Sequence, residues 1–173
     1  RLTEELDALT EYKLPFRIMP GISSLNALTS AGIQITRRGS ARGFTVSTPR
    51  KAGDGSVEWP DKIERGDFPQ VIFMASKALK KVSSQMMRDG FESKTPASVV
   101  YNAGCDNCQV VSSNLEDISN LAPDIEAPGL LIVGDAANPD NISASPGPLS
   151  VLKILFAGSE KLGNDARRLI IEQ

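Results

Sequence analysis

Residues 17–48 read RIMPGISSLNALTSAGIQITRRGSARGFTVST, and this stretch decides the fold. A short apolar strand, Pro15–Met19, leads through a Pro-Gly turn into a helix of small residues, Ile22–Ala31, which Gly32 ends. A doubly basic loop and a second strand, Gly43–Ser47, follow. A strand, a helix and a strand in this order predict an α/β unit.

Two polar features of this stretch predict ligand contacts. Ser23 and Ser24 follow the Pro-Gly turn, and hydroxyls and backbone N–H groups at a helix start can hold an anion. The alternative for both serines is simple helix capping. Arg37 and Arg38 offer guanidinium groups to carboxylates or phosphates, although most single surface arginines are only solvated. Together they suggest a polar cofactor beside an anionic substrate.

Length, charge and composition exclude several classes of protein. The chain has 173 residues and a net charge of −2, so its bulk charge does not favour nucleic-acid binding. Its apolar runs are too short to cross a bilayer and no secretory signal is visible, so we expect no membrane association. Two cysteines do not suggest a disulfide framework, and a cytoplasmic location is therefore expected.

Hydrophobic periodicity and turn residues predict the remaining elements. The apolar run Gly129–Val133 indicates a strand in the centre of the sheet, and Asn114 is a plausible helix cap. The predicted helices are Leu2–Tyr12, Trp59–Arg65, Ser76–Asp89 and Asn114–Ser119. The other predicted strands are Gln70–Ala75, Ser98–Tyr101 and Gln109–Ser112, of which the last two are expected to pair. A turn is predicted at Gly53–Ser56.

Four segments in order resemble the tetrapyrrole methylase family, most closely the uroporphyrinogen-III C-methyltransferases. They are PGISSLNAL with AGIQITRRGSARGFTV (residues 20–46), VIFMASKAL (71–79), PASVVYNAGCDNCQVV (96–111) and APGLLIVGDAA (127–137). The resemblance implies an α/β fold with a mixed five-stranded sheet flanked by helices, the C-terminal domain of the tetrapyrrole methylase fold. It also implies S-adenosylmethionine as the cofactor and S-adenosylhomocysteine as the product left after transfer.

The resemblance further implies which residues contact the cofactor. Ser23 and Ser24 stand where the family contacts the methionine part of the cofactor, and Met74 where the backbone reaches the adenosine. Ala103 lies in the turn that contacts adenine, and Gly134 matches a glycine expected to line the same pocket. Without the resemblance, a core methionine at a strand end and an ordinary tight turn would be the better interpretations.

The same comparison implies a substrate site for uroporphyrinogen III, whose acetate and propionate groups suit guanidinium contacts. Arg1, Glu4, Arg38 and Met74 match family residues near the tetrapyrrole. The chain departs from the family pattern by lacking a histidine after Thr48. No general base is recognisable, so the catalytic residues are left unassigned.

Cys105 and Cys108 form a C-x-x-C pair. A zinc site usually needs a second pair, and the chain contains no other cysteine and no histidine. We therefore predict no metal, and interpret the cysteines as incidental. The alternative is a metal shared with another part of the protein.

We expect residues 1–137 to be the second domain of a tetrapyrrole methylase and residues 138–149, rich in Pro, Ser, Asn and Gly, to be a linker. Residues 150–173, with a strand at Val151–Phe156 and a helix at Glu160–Glu172, resemble the start of a uroporphyrinogen-III synthase domain. The alternative is a C-terminal dimerisation arm. The family's first domain, with its Gly-rich strand end, is not in this sequence.

Three functions are compatible with these observations. The first is the C-terminal half of a uroporphyrinogen-III C-methyltransferase, which makes precorrin-2 for siroheme or cobalamin, with the fragment alone inactive. The second is a methylase of the same fold for a later precorrin or another substrate. The third is a dimerisation module without activity. The expected partners are the tetrapyrrole, the missing N-terminal half and a second copy of the chain.

Overall fold

The computed structural model describes residues 2–49, 68–122 and 128–142. Within them, one sheet has the spatial order β1-β2-β5-β3-β4. β1 and β2 are parallel, whereas β5 is antiparallel to both β2 and β3, and β4 is antiparallel to β3. The predicted mixed five-stranded sheet is confirmed, with β5 at its centre. The strands are β1 (Thr45–Ser47), β2 (Gln70–Ile72), β3 (Pro96–Tyr101), β4 (Gln109–Asn114) and β5 (Gly129–Val133).

Both faces of this sheet are covered by buried apolar side chains, because successive strand residues point to opposite faces. In β5, Leu131 and Val133 belong to one core cluster, and Leu130 and Ile132 belong to the other. The helices are α1 (Leu2–Glu11), α2 (Ser24–Ala27), α3 (Leu79–Arg88) and α4 (Ile118–Leu121).

Helices complete a three-layer arrangement. Leu79, Val82 and Met86 of α3 and Ile118 of α4 pack into the first cluster. Residues 28–33, which follow α2, cover the second face. The first face therefore carries two helices, and the second carries a short helix with irregular chain.

The predicted helix Ile22–Ala31 is shorter than expected. After Ala27 the chain continues as turns, and the hydroxyl of Ser30 donates to the carbonyl of Ala27 at 2.6 Å. Serine hydroxyls of this kind compete with the helical backbone ladder. Gly32, at φ +79°, ends these turns, and the N–H of Ile33 then donates to the carbonyl of Leu28 at 3.0 Å.

Two further predictions were wrong in detail. Residues 15–19 pair with no strand in the part of the chain that the structure describes, and they are exposed. Asn114 ends β4, and its Oδ1 accepts from the N–H of Asp117 at 3.0 Å, so the helix begins only at Ile118. A single asparagine thus ends the strand and caps the turn before α4.

Several predictions fall on residues that the structure does not describe. They concern Arg1, the turn at 53–56, the helix at 59–65, the linker beyond residue 142 and the segment 150–173. All described residues belong to the first of two compact units, residues 1–143. The start of the predicted linker, Pro139–Asn141, is a 3-10 turn. No helix within the described ranges is both long and apolar enough to cross a bilayer.

Candidate functional site

A pocket of about 470 Å³ lies at one end of the strands of the sheet, which we call the pocket edge. β2 and β3 end there, and β5 begins there, because β5 is antiparallel to each of them. Pockets of 300–1,000 Å³ typically hold small organic ligands. The pocket is lined by Ser24, Phe73, Met74, Ser76, Lys77, Val100, Asn102, Ala103, Cys105, Pro128, Gly129 and Leu130.

Two residues at the pocket have unusual backbone angles. Met74 has φ +55° and Asn102 has φ +50°, and Lys13 is the third non-glycine residue with positive φ in the described chain. Asparagine adopts this left-handed region fairly easily, but methionine does so at a cost of about 1–2 kcal/mol. Such strain tends to be retained at ligand sites. Two of the three non-glycine residues with positive φ in the described chain therefore lie at the pocket, which makes it a candidate ligand site.

The floor of the pocket depends on a glycine at position 129. A Cβ at Gly129 would lie 3.0 Å from the Cβ of Ser76 and 3.2 Å from a ring carbon of Tyr101. The N–H of Asn102 donates to the carbonyl of Pro128 at 3.1 Å, which holds the turn after β3 against the start of β5. A side chain at position 129 would therefore need Ser76 or Tyr101 to move by a few tenths of an ångström.

The chemistry of the walls suits a flat heterocycle with polar substituents. Apolar side chains of Phe73, Val100 and Leu130 line the cavity, and Ser24 and Asn102 contribute polar groups to its lining. Apolar walls exclude water from the faces of a ring, and a few polar groups fix its orientation. The residues present therefore fit a nucleoside-sized group such as the adenosine of S-adenosylmethionine.

Three of the five residues predicted to contact the cofactor lie around this pocket: Ser24, Met74 and Ala103. Ser23 does not line it. Its Oγ accepts from the N–H of Leu25 at 3.3 Å and caps α2. The structure therefore gives the two adjacent serines different environments, with Ser23 at the cap and Ser24 at the pocket.

Gly134 lies at the other end of the sheet, and the expectation that it shares the pocket is corrected. A Cβ at Gly134 would lie 3.3 Å from the Cα of Pro69, just before β2. The expectation rests on the resemblance of residues 127–137 to the family, which does not include the direction of β5. Because β5 is antiparallel to both β2 and β3, its first residue reaches the pocket instead of its last.

Arg38 is also separated from the pocket. It is exposed on a turn that is closed by an antiparallel bridge between Arg37 and Ala41. Side chains of this turn bond to residues after β5: Arg37 donates to Asn141, and Ser40 donates to Asp135. The turn therefore lies at the sheet end opposite the pocket.

The remaining predicted substrate residues lie in or before α1. Glu4 is exposed in the first turn of α1, a helix without buried residues. Arg1 lies outside the described residues. The structure therefore does not bring Glu4 to the pocket.

Sequence reasoning missed part of the pocket wall. Ser76, Lys77 and Cys105 line the cavity, although Cys105 had been interpreted as incidental. The position of Lys77 in VIFMASKAL, soon after Met74, was a usable signal. The contribution of Gly129 could not be inferred without knowing the direction of β5.

The described residues contain no group of three or more His, Cys, Asp or Glu side chains that could hold a metal ion. Both thiols are free, with Cys105 exposed and Cys108 partly buried. Burial raises the pKa of the Cys108 thiol, and the nearby Cys105 adds to this effect, while a hydrogen bond from the backbone of Gly104 opposes it.

Comparison with known proteins gives a consistent result. A model of the tetrapyrrole (corrin/porphyrin) methylases matches residues 1–119. The chain is 30% identical over 134 residues to a siroheme synthase of Zymomonas mobilis, covering 76% of this chain and 28% of that protein. It is 29% identical over 146 residues to a cobalt-precorrin-4 C(11)-methyltransferase of Methanocaldococcus jannaschii, covering 80% of this chain and 55% of that protein.

Solved structures agree with the sequence matches. A uroporphyrin-III C-methyltransferase of Thermus thermophilus in complex with S-adenosylhomocysteine superposes with a TM-score of 0.64 at 25% identity, covering 77% of this chain and 58% of that one. The chain therefore spans less than a third of the siroheme synthase and just over half of the two other relatives. From the match to residues 1–119 and the shared fold, the chain belongs to the tetrapyrrole (corrin/porphyrin) methylases.

Proposed function

We propose that this chain is the C-terminal part of an S-adenosylmethionine-dependent C-methyltransferase that converts uroporphyrinogen III to precorrin-2, for siroheme or cobalamin biosynthesis. Family membership supports methyl transfer, and the similarity to a siroheme synthase and to a uroporphyrin-III C-methyltransferase supports this substrate. The S-adenosylhomocysteine named for the Thermus structure supports the cofactor.

The observation that carries the proposal is the convergence of three predicted positions on one cavity. Ser24, Met74 and Ala103 come from separate segments of the chain, yet all line the pocket of about 470 Å³. A chance match to family motifs would not gather them at one end of the sheet, where Met74 also has a strained backbone. We assign the adenosine to the apolar part of this pocket, and the methionine part of the cofactor to the rim near Ser24.

The role of this chain is to hold and orient the methyl donor. Methyl transfer is a displacement at carbon, so its rate depends on aligning the donor with the nucleophilic ring carbon. No carboxylate or imidazole lines the pocket in the described part of the chain. We propose that the proton acceptor comes from another part of the full-length protein, and we expect the isolated fragment to transfer no methyl group.

The first 22 residues carry exposed apolar side chains that suit a covered surface. Leu14, Phe16 and Ile18 are each about half exposed, and Ile22 is 90% exposed. Exposed apolar patches of this kind mark interaction sites. We propose that the N-terminal half of the same protein covers this surface, that two copies form a homodimer, and that the protein works in the cytoplasm.

The test is methyl transfer by the full-length protein. It is incubated with radiolabelled S-adenosylmethionine and uroporphyrinogen III, and the label should appear in a methylated tetrapyrrole. Ala103→Leu, which fills the pocket, should abolish the transfer. Ala122→Leu enlarges another partly exposed alanine outside the pocket and serves as the matched control. Full activity of Ala103→Leu would refute the assignment of the donor to this pocket.

A second candidate is a methylase of a later precorrin. The similarity to a cobalt-precorrin-4 C(11)-methyltransferase favours it, as does the absence of a histidine after Thr48. Label that appears on a precorrin-4-like substrate and not on uroporphyrinogen III would select this alternative.

If the full-length protein gave no heat with S-adenosylhomocysteine in calorimetry, a dimerisation module without activity would be favoured.

A further inference from the structure

The two cysteines lie in a tight turn beside the pocket. The N–H of Cys108 donates to the carbonyl of Cys105 at 3.0 Å, which closes a four-residue turn. A turn of this kind holds its first and last Cα atoms within roughly 7 Å of each other. Disulfides join Cα atoms that are roughly 4.4–6.8 Å apart, so the backbone already holds the pair near bonding range.

The same turn contributes to the pocket wall. Cys105 lines the cavity together with Asn102 and Ala103, and the N–H of Cys105 donates to the carbonyl of Asn102 at 3.0 Å. Cys108 packs against the second core cluster, as Ala103 does. A covalent change at the two sulfurs would therefore act directly on residues that shape the cavity.

We propose that Cys105 and Cys108 form a reversible dithiol–disulfide site whose closure weakens ligand binding in the adjacent pocket. The identity of the ligand, S-adenosylhomocysteine, rests on the proposed function; the thiol chemistry does not. Intracellular disulfides are typically transient and regulatory, which suits a site of this kind.

A low-molecular-weight disulfide such as glutathione disulfide is the oxidant. The thiolate of exposed Cys105 attacks it, forms a mixed disulfide and releases one molecule of glutathione. The thiolate of Cys108 then attacks the sulfur of Cys105, which forms the intramolecular bond and releases the second glutathione. The protein loses two protons and two electrons, and the oxidant takes up both to become two thiols. Because burial raises the pKa of Cys108, Cys105 is the first to react.

Metal binding is a weaker interpretation of the pair. The described residues contain no group of three or more His, Cys, Asp or Glu side chains that could hold a metal ion, at these thiols or elsewhere. Structural zinc sites use four protein ligands. A two-electron thiol reaction needs only the two sulfurs that are present.

The experiment uses the full-length protein, equilibrated at a series of glutathione disulfide to glutathione ratios. After the remaining thiols are alkylated, mass spectrometry should find a peptide with a Cys105–Cys108 bond that has lost two hydrogens. Calorimetry with S-adenosylhomocysteine should then give a dissociation constant about tenfold higher for the oxidised protein than for the reduced one. By linkage, saturating S-adenosylhomocysteine should raise the reduction potential of the pair by about 30 mV.

Matched variants separate the steps. Cys108→Ser should stop at the mixed disulfide on Cys105, and the double variant Cys105→Ser/Cys108→Ser should bind the ligand equally well at every glutathione ratio. Absence of the 105–108 bond at all ratios, or equal affinity of the oxidised and reduced proteins, would overturn the inference.

The failure of the proposed function gives a different result. If the reduced protein does not bind S-adenosylhomocysteine, the assignment of the ligand is wrong. Amide hydrogen exchange of residues 100–105 then decides the inference on its own. A change in amide exchange on oxidation of the wild type, and not of the double variant, supports the proposal that the disulfide alters the pocket. Unchanged amide exchange in the oxidised wild type rejects that proposal.

Discussion

The strained backbone of Met74 allows a sharp test of the pocket geometry. At ordinary positions glycine is less stable than alanine by roughly 0.5–1 kcal/mol, because it loses more conformational freedom on folding. At φ +55° the order should reverse, since a Cβ in the left-handed region costs about 1–2 kcal/mol. The Met74 side chain is 56% exposed, so its removal forfeits little burial and affects both variants equally.

We therefore expect Met74→Gly to be more stable than Met74→Ala by about 1 kcal/mol, which corresponds to roughly 2–4 °C in the midpoint of thermal unfolding for a domain of this size. The assay is thermal unfolding of the two variants in the full-length protein. Lys13 also has positive φ, +53°, but lies outside the pocket. Lys13→Gly and Lys13→Ala should show the same order of stability without any change in ligand affinity. If Met74→Ala were equal to or more stable than Met74→Gly, the backbone described for this edge would be wrong.

Three further predictions concern glycine, arginine and cysteine positions. Gly129→Ala should destabilise the protein by about 1–3 kcal/mol in chemical denaturation, because the new Cβ approaches another Cβ to 3.0 Å. Gly43→Ala, whose nearest contact would be 3.5 Å, should not. Arg38→Ala should leave the affinity for S-adenosylhomocysteine unchanged, since its turn lies at the end of the sheet opposite the pocket. By the role that the family resemblance implies, it should weaken uroporphyrinogen III binding about tenfold. Arg42→Ala is the control, and a lower affinity of Arg38→Ala for S-adenosylhomocysteine would contradict the distance between Arg38 and the pocket. Because burial raises the pKa of Cys108, alkylation of Cys108 should need a higher pH than alkylation of exposed Cys105. The contribution of Cys108 to the free energy of unfolding should fall as the pH rises past the ordinary thiol pKa. Identical pH profiles of alkylation for the two cysteines would contradict the raised pKa.

Much of the fold could be predicted because local patterns and tertiary structure agree. The apolar run Gly129–Val133 indicated a strand buried on both faces, and β5 is the central strand. The hairpin of β3 and β4 followed from two short β-prone runs joined by a turn. The segment 15–19 is also mostly apolar, although it includes Arg17, yet such a run forms a strand only where a neighbouring strand can pair with it. Sequence patterns carry no information on that partner.

The candidate site could be predicted only in part, for a physical reason. The family resemblance identified Ser24, Met74 and Ala103, because each lies in a segment whose sequence matches the family, and all three line the pocket. Gly134 was expected at the same pocket from the family resemblance. One strand's sequence does not show its direction in the sheet, and β5 is antiparallel to β2 and β3. Cys105 was discounted because thiol spacing alone does not reveal that a turn faces a cavity.

The most direct test of the account is a crystal structure of the full-length protein with S-adenosylhomocysteine. The account predicts the adenine ring within about 4 Å of Met74, Ala103 and Leu130, at the edge where β2 and β3 end. Electron density for the ligand against Gly134 and Pro69, at the other end of the sheet, would contradict it.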